Sequence, residues 1–136
     1  MTHVYKGRCQ CEAVDYEFTG YPRTVHACHC SECQKRSGSA FGLTMVVNRK
    51  NFTITGQVSK YVRVADSGQT NKSYFCPNCG NPIYGEVERL PDIVAIRPGT
   101  LDDTSWFKPE RHQWTDSAQS WFEFPEGCEA LPKSRW

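Results

Sequence analysis

With 136 residues the chain has room for one domain and a modest core. Its formal net charge of +1 supplies no basic field to attract nucleic acid or an anionic membrane surface. No apolar run approaches the ~20 residues that a membrane-crossing helix needs.

In chain order, the segment from Met1 to Gly7 has no apolar signal core, which predicts a cytoplasmic protein. In that reducing setting the 8 cysteines read as metal ligands rather than disulfides. Cys9 and Cys11 lie two apart, so in extended chain they share a face and can point at one ion. Val14, Tyr16 and Phe18 alternate with Asp15 and Glu17, predicting a half-buried strand that Gly20 and Pro22 end. Thr24 to Ala27 predicts a short strand running into Cys28-His29-Cys30-Ser31-Glu32-Cys33. Glu32 to Ser37 predicts one helical turn, stopped by Gly38. Further strands are predicted over Ala40 to Val47, Phe52 to Thr55 and Lys60 to Ala65, with a polar loop or hairpin tip over residues 65–71. Lys72 to Phe75 leads into Cys76-Pro77-Asn78-Cys79-Gly80, Ile83 to Val87 leads out, and Ile93 to Ile96 is a buried-type run. Many short strands with one short helix predict an all-β fold in a single domain, residues 1–136.

The cysteine spacing carries the chemistry. C-x-C-x-x-C lets one short turn offer three thiolates to a soft divalent metal such as zinc. A structural zinc closes its shell with four protein ligands, whereas a reactive one keeps a position open. The second motif, C-P-x-C-G, reads as a zinc knuckle: proline fixes the turn, and glycine tolerates a left-handed conformation after the second thiol. A redox CxxC pair is the alternative, but Pro-Asn between the thiols fits a knuckle better than a thioredoxin-type helix start. Cys9 and Cys11 would complete a four-thiolate structural site with Cys76 and Cys79, contributing on the order of 10 kcal/mol to folding. Cys28, Cys30 and Cys33 then remain for a second ion, and Cys128 is left as a lone thiol without a ligand role. A competing division pairs Cys30 and Cys33 with Cys76 and Cys79 as a zinc ribbon. The intervening residues 34–75 are far more than the ~15–20 of an ordinary ribbon, and Cys9, Cys11 and Cys28 would be orphaned.

These motifs resemble a known family. C-x-C, then C-H-C-x-x-C-Q-K-x-x-G-S-A-F, F-C-P-x-C-G and G-T-L-D-D look like the glutathione-dependent formaldehyde-activating enzymes, whose prototype is S-(hydroxymethyl)glutathione synthase. Centromere protein V carries a similar domain. The resemblance runs from Gly7 to about Trp121, and the segment from Pro109 to Trp114 resembles the family's ending. It implies two antiparallel sheets in a β-tent. It also implies two zinc ions per chain: a structural one on Cys9, Cys11, Cys76 and Cys79, and a catalytic one on Cys28, Cys30 and Cys33.

Three thiolates on a divalent zinc leave a net charge near −1, a poor Lewis acid for hard oxygen nucleophiles but a good host for a further thiol. Glutathione or a similar small thiol would then add to a small aldehyde, or the adduct would be cleaved, which makes a carbon–sulfur lyase. Formaldehyde is the aldehyde the resemblance implies. Around the cluster, His29 is turned away from the metal by alternation, as an exposed or outer-layer histidine. Lys35 and Arg36 offer cations to a thiol substrate's carboxylate, or simply face solvent. Ser37, Gly38 and Ser39 offer backbone donors, or merely end the helix. Arg97 faces a pocket or bridges to Asp102 or Asp103. His26 and His112 are structural or functional on equal terms, and Trp106, Phe107, Trp114, Trp121 and Phe122 are packing residues first. Two other functions fit the same residues: a zinc module without catalysis that binds a macromolecule, and a redox switch in which two of the three clustered thiols form a disulfide. Near-neutral charge argues against nucleic acid as the partner.

Overall fold

The structure is a computed structural model that describes residues 3–65 and 67–133. The chain divides into two compact units, residues 1–23 with 45–106, and residues 24–44 with 107–136.

The larger unit holds two sheets. β1 (Val4–Arg8) and β2 (Asp15–Thr19) pair antiparallel, and β5 (Phe52–Thr55) adds to the other edge of β2. The alternation read from the sequence is what sets the facing: Tyr16 and Phe18 are buried, while Asp15 and Glu17 are exposed. The register places Tyr16 against Ile54 and Phe18 against Phe52. Tyr16 shares a hydrogen bond with Thr100 Oγ1 at 2.8 Å, so its hydroxyl is satisfied while its ring fills the core.

The second sheet of this unit runs in the order β4-β9-β8-β7-β6, from β4 (Gly42–Asn48), which belongs to it from Met45 onward, and β9 (Ile93–Ile96) through β8 (Pro82–Val87) and β7 (Thr70–Phe75) to β6 (Ser59–Val64). All these pairs are antiparallel, with β4 joining β9 through Met45 to Asn48. Met45, Val47, Ile83, Val94 and Ile96 form its buried centre. Each such side chain contributes about 1.5–3 kcal/mol when fully buried. Tyr74 and Tyr84 stack across β7 and β8, centroids 4.4 Å apart. A register shift between Tyr74 and Phe75 sets Phe75 opposite Pro82. That shift ends the ladder where the C-P-x-C-G turn begins. The hairpin tip between β6 and β7 closes with Ala65 N–H on Gln69 O at 2.8 Å; Asp66, part of that predicted tip, lies outside the described residues.

The smaller unit contains β3 (Thr24–Cys28), the helix α1 (Ser31–Ser37), β10 (Arg111–Gln113) and β11 (Glu129–Ala130), with strand order β11-β10-β3. These pairs are parallel, which departs from the antiparallel arrangement expected. Residues 114–128 supply a return long enough for a parallel pair, which needs about a dozen residues. α1 is capped at its start by Cys30 and ended by Gly38 at φ 62, a left-handed conformation suited to glycine. The class predicted from the sequence, almost all β with one short helix, is what the chain forms. No helix among the described residues is long and apolar enough to cross a membrane.

Candidate metal centres

Cys9, Cys11, Cys76 and Cys79 converge within the larger unit, every sulfur within 4.8 Å of the others. The first two follow β1 in a tight turn closed by Glu12 N–H on Cys9 O at 3.0 Å. The other two follow β7 in a turn closed by Gly80 N–H on Cys76 O at 2.8 Å, with Gly80 at φ 77. Gln10 N–H donates to Asn81 Oδ1 at 3.0 Å and ties one turn to the other. The Cys9–Cys11 and Cys11–Cys76 sulfur separations are 3.6 and 3.7 Å. A tetrahedron with Zn–S bonds of about 2.3 Å has edges of about 3.8 Å, so this donor set fits zinc.

Electrostatics prepares two of these sulfurs, Cys11 and Cys79. Val14 N–H points at Cys9 Sγ at 3.4 Å. A hydrogen bond from the Asn78 side chain, then one from Ala13 N–H, bring the Cys11 thiol down to about 6. Cys79 is lowered by the backbone N–H of Cys11 and then that of Asn81. Each knuckle therefore stabilises a thiolate belonging to the other.

Cys28, Cys30 and Cys33 converge within the smaller unit, again with all sulfurs inside 4.8 Å. Cys28 ends β3, Cys30 is the residue before α1, and Cys33 lies in its first turn. Cys33 N–H donates to Cys30 Sγ at 3.3 Å, and Arg36 Nη2 lies 3.5 Å from Cys33 Sγ. The Cys28 and Cys33 thiols donate to Cys30 and hold it down to about 2, helped by the backbone N–H groups of Cys33 and Glu32. Cys28 moves the other way, pushed up by its hydrogen bonds to Cys30 and Cys33 and then by burial. Without metal the trio thus concentrates one negative charge on Cys30. Among the described residues no fourth Cys, His, Asp or Glu ligand atom comes within 4.8 Å of all three sulfurs. Three soft sulfurs at this spacing suit zinc with a position left open.

His29, between two of these cysteines, is fully buried rather than exposed. Its Nε2 lies 2.8 Å from His112 Nδ1. The two rings sit among Phe41, Phe122 and Phe124. Burial lowers both imidazoles, so the pair is neutral at pH 7. The backbone at His29 is fixed too: its N–H donates to Gln113 O at 2.9 Å, and its carbonyl accepts from Gln34 Nε2 at 2.7 Å. Gln34 Nε2 also reaches Ser117 O, and its Oε1 accepts from Gln119. His112 is one of the two histidines that the sequence leaves structural or functional; its pairing with His29 spans 83 residues, and no local pattern marks Gln34, Phe41 or Phe124 as its partners in this layer.

Lys35, Arg36, Ser37, Gly38 and Ser39 are exposed, and the Ser37 hydroxyl donates to Gln34 O as a helix stop. Arg97 is half-buried; Asp102 is engaged by Arg8 through two bonds of 3.0 Å, and Asp103 accepts from Ser105. His26 is buried on β3. Trp106 stacks on Tyr5, Phe107 and Phe122 are half-buried, Trp114 lies under Lys133, and Trp121 is exposed. Cys128 joins neither cluster; its thiol lies 3.8 Å from Pro109 O and is raised by burial.

Residues 4–117 match the family model described as glutathione-dependent formaldehyde-activating enzyme. A Penicillium rubens protein named "putative glutathione-dependent formaldehyde-activating enzyme" is 32% identical over 110 residues, covering 77% of this chain and 57% of its own length. A Fusarium vanettenii protein of the same name is 30% identical over 110 residues, covering 77% of this chain and 59% of its own. The chain spans about half the length of the curated relatives it matches. A crystal structure of a Rhodobacter sphaeroides protein shares the fold with a TM-score of 0.58 at 19% identity, over 76% of this chain and 91% of that one.

Proposed function

The chain belongs to the glutathione-dependent formaldehyde-activating enzyme family, and from that premise we propose that it is a zinc-dependent carbon–sulfur lyase. Its substrates are glutathione, or a similar small thiol, and a small aldehyde such as formaldehyde. The observation that carries this reading is the three-sulfur cluster without a fourth protein ligand among the described residues. Cys28, Cys30 and Cys33 hold the reactive ion, and Cys9, Cys11, Cys76 and Cys79 hold a structural one.

When bound at the trio, zinc supplies a soft Lewis acid with an open position that favours the thiolate form of a substrate thiol. The chain's own groups do the rest. Backbone N–H groups at the start of α1 stabilise the Cys30 sulfur, and Arg36 offsets charge at Cys33. The neutral His29–His112 pair adds no positive charge to the site. In the forward direction a carbon–sulfur bond forms as the thiol sulfur adds to the aldehyde carbon. The carbonyl π bond breaks and its oxygen takes the proton that the thiol lost, so no oxidant or reductant is needed. Cleavage is the same step reversed.

The family match crosses both compact units, which supports residues 1–136 acting as one domain. Thiol-rich sites suit a reducing cytoplasm, and a net charge of +1 suits small-molecule substrates rather than nucleic acid or a membrane surface. The test is exchange spectroscopy on a mixture of formaldehyde and glutathione, with and without the protein. Acceleration of adduct exchange supports the lyase. Two bound zincs with exchange no faster than in buffer would favour a zinc module without catalysis.

A further inference from the structure

We propose that His112 is a positioning residue for the three-cysteine site, acting through the His29 ring. The inference rests on the trio being a metal site, as proposed above. His29 sits directly between Cys28 and Cys30, so any rotation of its backbone moves two sulfurs at once. Each polar group of His29 is held except one ring nitrogen. The N–H is on Gln113 O, the carbonyl on Gln34 Nε2, and Nε2 on His112 Nδ1 at 2.8 Å.

Core stability does not account for this pair. His29 is 0% and His112 2% exposed. Yet His29 Nδ1 and His112 Nε2 are buried with no hydrogen-bond partner. The single bond between the rings uses one nitrogen of each, so whichever ring donates, the other two nitrogens stay buried and unpaired. The net gain from one hydrogen bond does not offset two orphaned polar atoms. An apolar pair of similar volume would fill this aromatic cage at lower cost. What the two rings supply, and a pair of phenylalanines does not, is a directional bond that sets the angle of His29 and so of its flanking sulfurs. Outer-layer hydrogen bonds of this kind set metal affinity by orienting the ligands.

The brace extends past the family match, which ends at residue 117. Gln119 reaches Gln34 at 2.8 Å, and Phe122 and Phe124 press on the His29 ring with centroids at 5.0 and 5.3 Å. Residues 118–124 thus belong to the supporting layer of the three-cysteine site.

The test is cobalt(II) loading of the full chain, followed by thiolate-to-cobalt absorption. Added 2-mercaptoethanol distinguishes the sites, since it perturbs a three-sulfur ion and not a four-sulfur one. In His112→Phe, which keeps the aromatic contacts and deletes the bond, cobalt affinity at the trio should fall about 10- to 100-fold. The four-cysteine site should load as in the wild type. His112→Asn, which can return a polar atom to the Nδ1 position, should recover much of the loss. If His112→Phe is insoluble, Gln34→Leu, which releases the His29 carbonyl, is read the same way. Equal loading of both sites in wild type and variant, or equal weakening at both, overturns the positioning role alone. A wild-type chain that takes only one cobalt overturns the metal site proposed for the trio, and this inference with it.

Discussion

Cys30 caps the helix that carries Cys33: the Cys33 N–H donates to Cys30 Sγ at 3.3 Å. The sulfur that starts α1 is therefore also the sulfur on which the trio's negative charge settles. A serine at this position can still accept the capping bond, but it is a poor ligand for a soft metal.

That separation predicts the behaviour of two variants. Cys30→Ser should keep the circular dichroism spectrum and the four-cysteine ion, and lose adduct exchange by at least about 100-fold, the scale of removing a metal's Lewis acidity. Cys79→Ser should lose a large part of the ~10 kcal/mol that a structural zinc contributes and become insoluble or unfolded. Thermal melting and metal content per chain check both. Equal insolubility of the two would refute the division of labour between the sites.

Chelation should remove the metals in order. Cys28, Cys30 and Cys33 offer an ion three sulfurs where Cys9, Cys11, Cys76 and Cys79 offer four, so the trio holds its metal with one bond fewer. A mild chelator should therefore take one equivalent of zinc with no change in far-ultraviolet circular dichroism. The second equivalent should leave only with loss of structure. Metal analysis alongside dichroism reads the order, and simultaneous release would count against it.

The chain stripped of the trio's ion but holding the four-cysteine one should show a pH signature. Cys30 is lowered from 9.0 to about 2, so it is already thiolate at pH 5. Its alkylation by iodoacetamide should be nearly flat from pH 5 to 8, while Cys128, raised above the usual range, should speed up about tenfold per pH unit. The linked effect on stability has a definite sign. Because the folded value is depressed, the Cys30 contribution is fully present above pH 9 and declines as pH falls towards 2. Urea midpoints of protein that keeps only its four-cysteine ion should therefore be higher at pH 7 than at pH 5.

Gly80→Ala isolates a backbone cost. Gly80 has φ 77 and a Cβ there would touch nothing within 4 Å, so no steric clash complicates the substitution. Holding alanine in the left-handed region should cost about 1–2 kcal/mol. Asparagine, which visits that region more readily, should cost less. Urea titration of the zinc-loaded chain measures both.

Much of this arrangement was legible in the residues. Period-two alternation at Val14, Tyr16 and Phe18 marks β2, and the cysteine spacings alone separate a knuckle from a trio. What was missed has a common cause. Arg111-His112-Gln113 is polar and too short to carry a periodic pattern, so β10 and its parallel pairing with β3 left no local signal. Alternation turns His29 away from the metal as an exposed or outer-layer residue, and does not choose between the two. It is buried because Phe41, Phe122 and Phe124 arrive from distant parts of the sequence, and such contacts are not encoded in any short window.

The parallel alignment of Gln113 with Cys28 has a temporal consequence for a chain still being synthesised. By the time Cys79 emerges from the ribosome, all four thiols of the knuckle pair exist and can trap an ion. The strand that steadies the trio has not emerged yet, and residues 80–113 follow over another couple of seconds or more at about 5–20 residues per second. Nascent protein would thus acquire its scaffold metal first, and the reactive loop would be braced only after Arg111–Gln113 has followed it out.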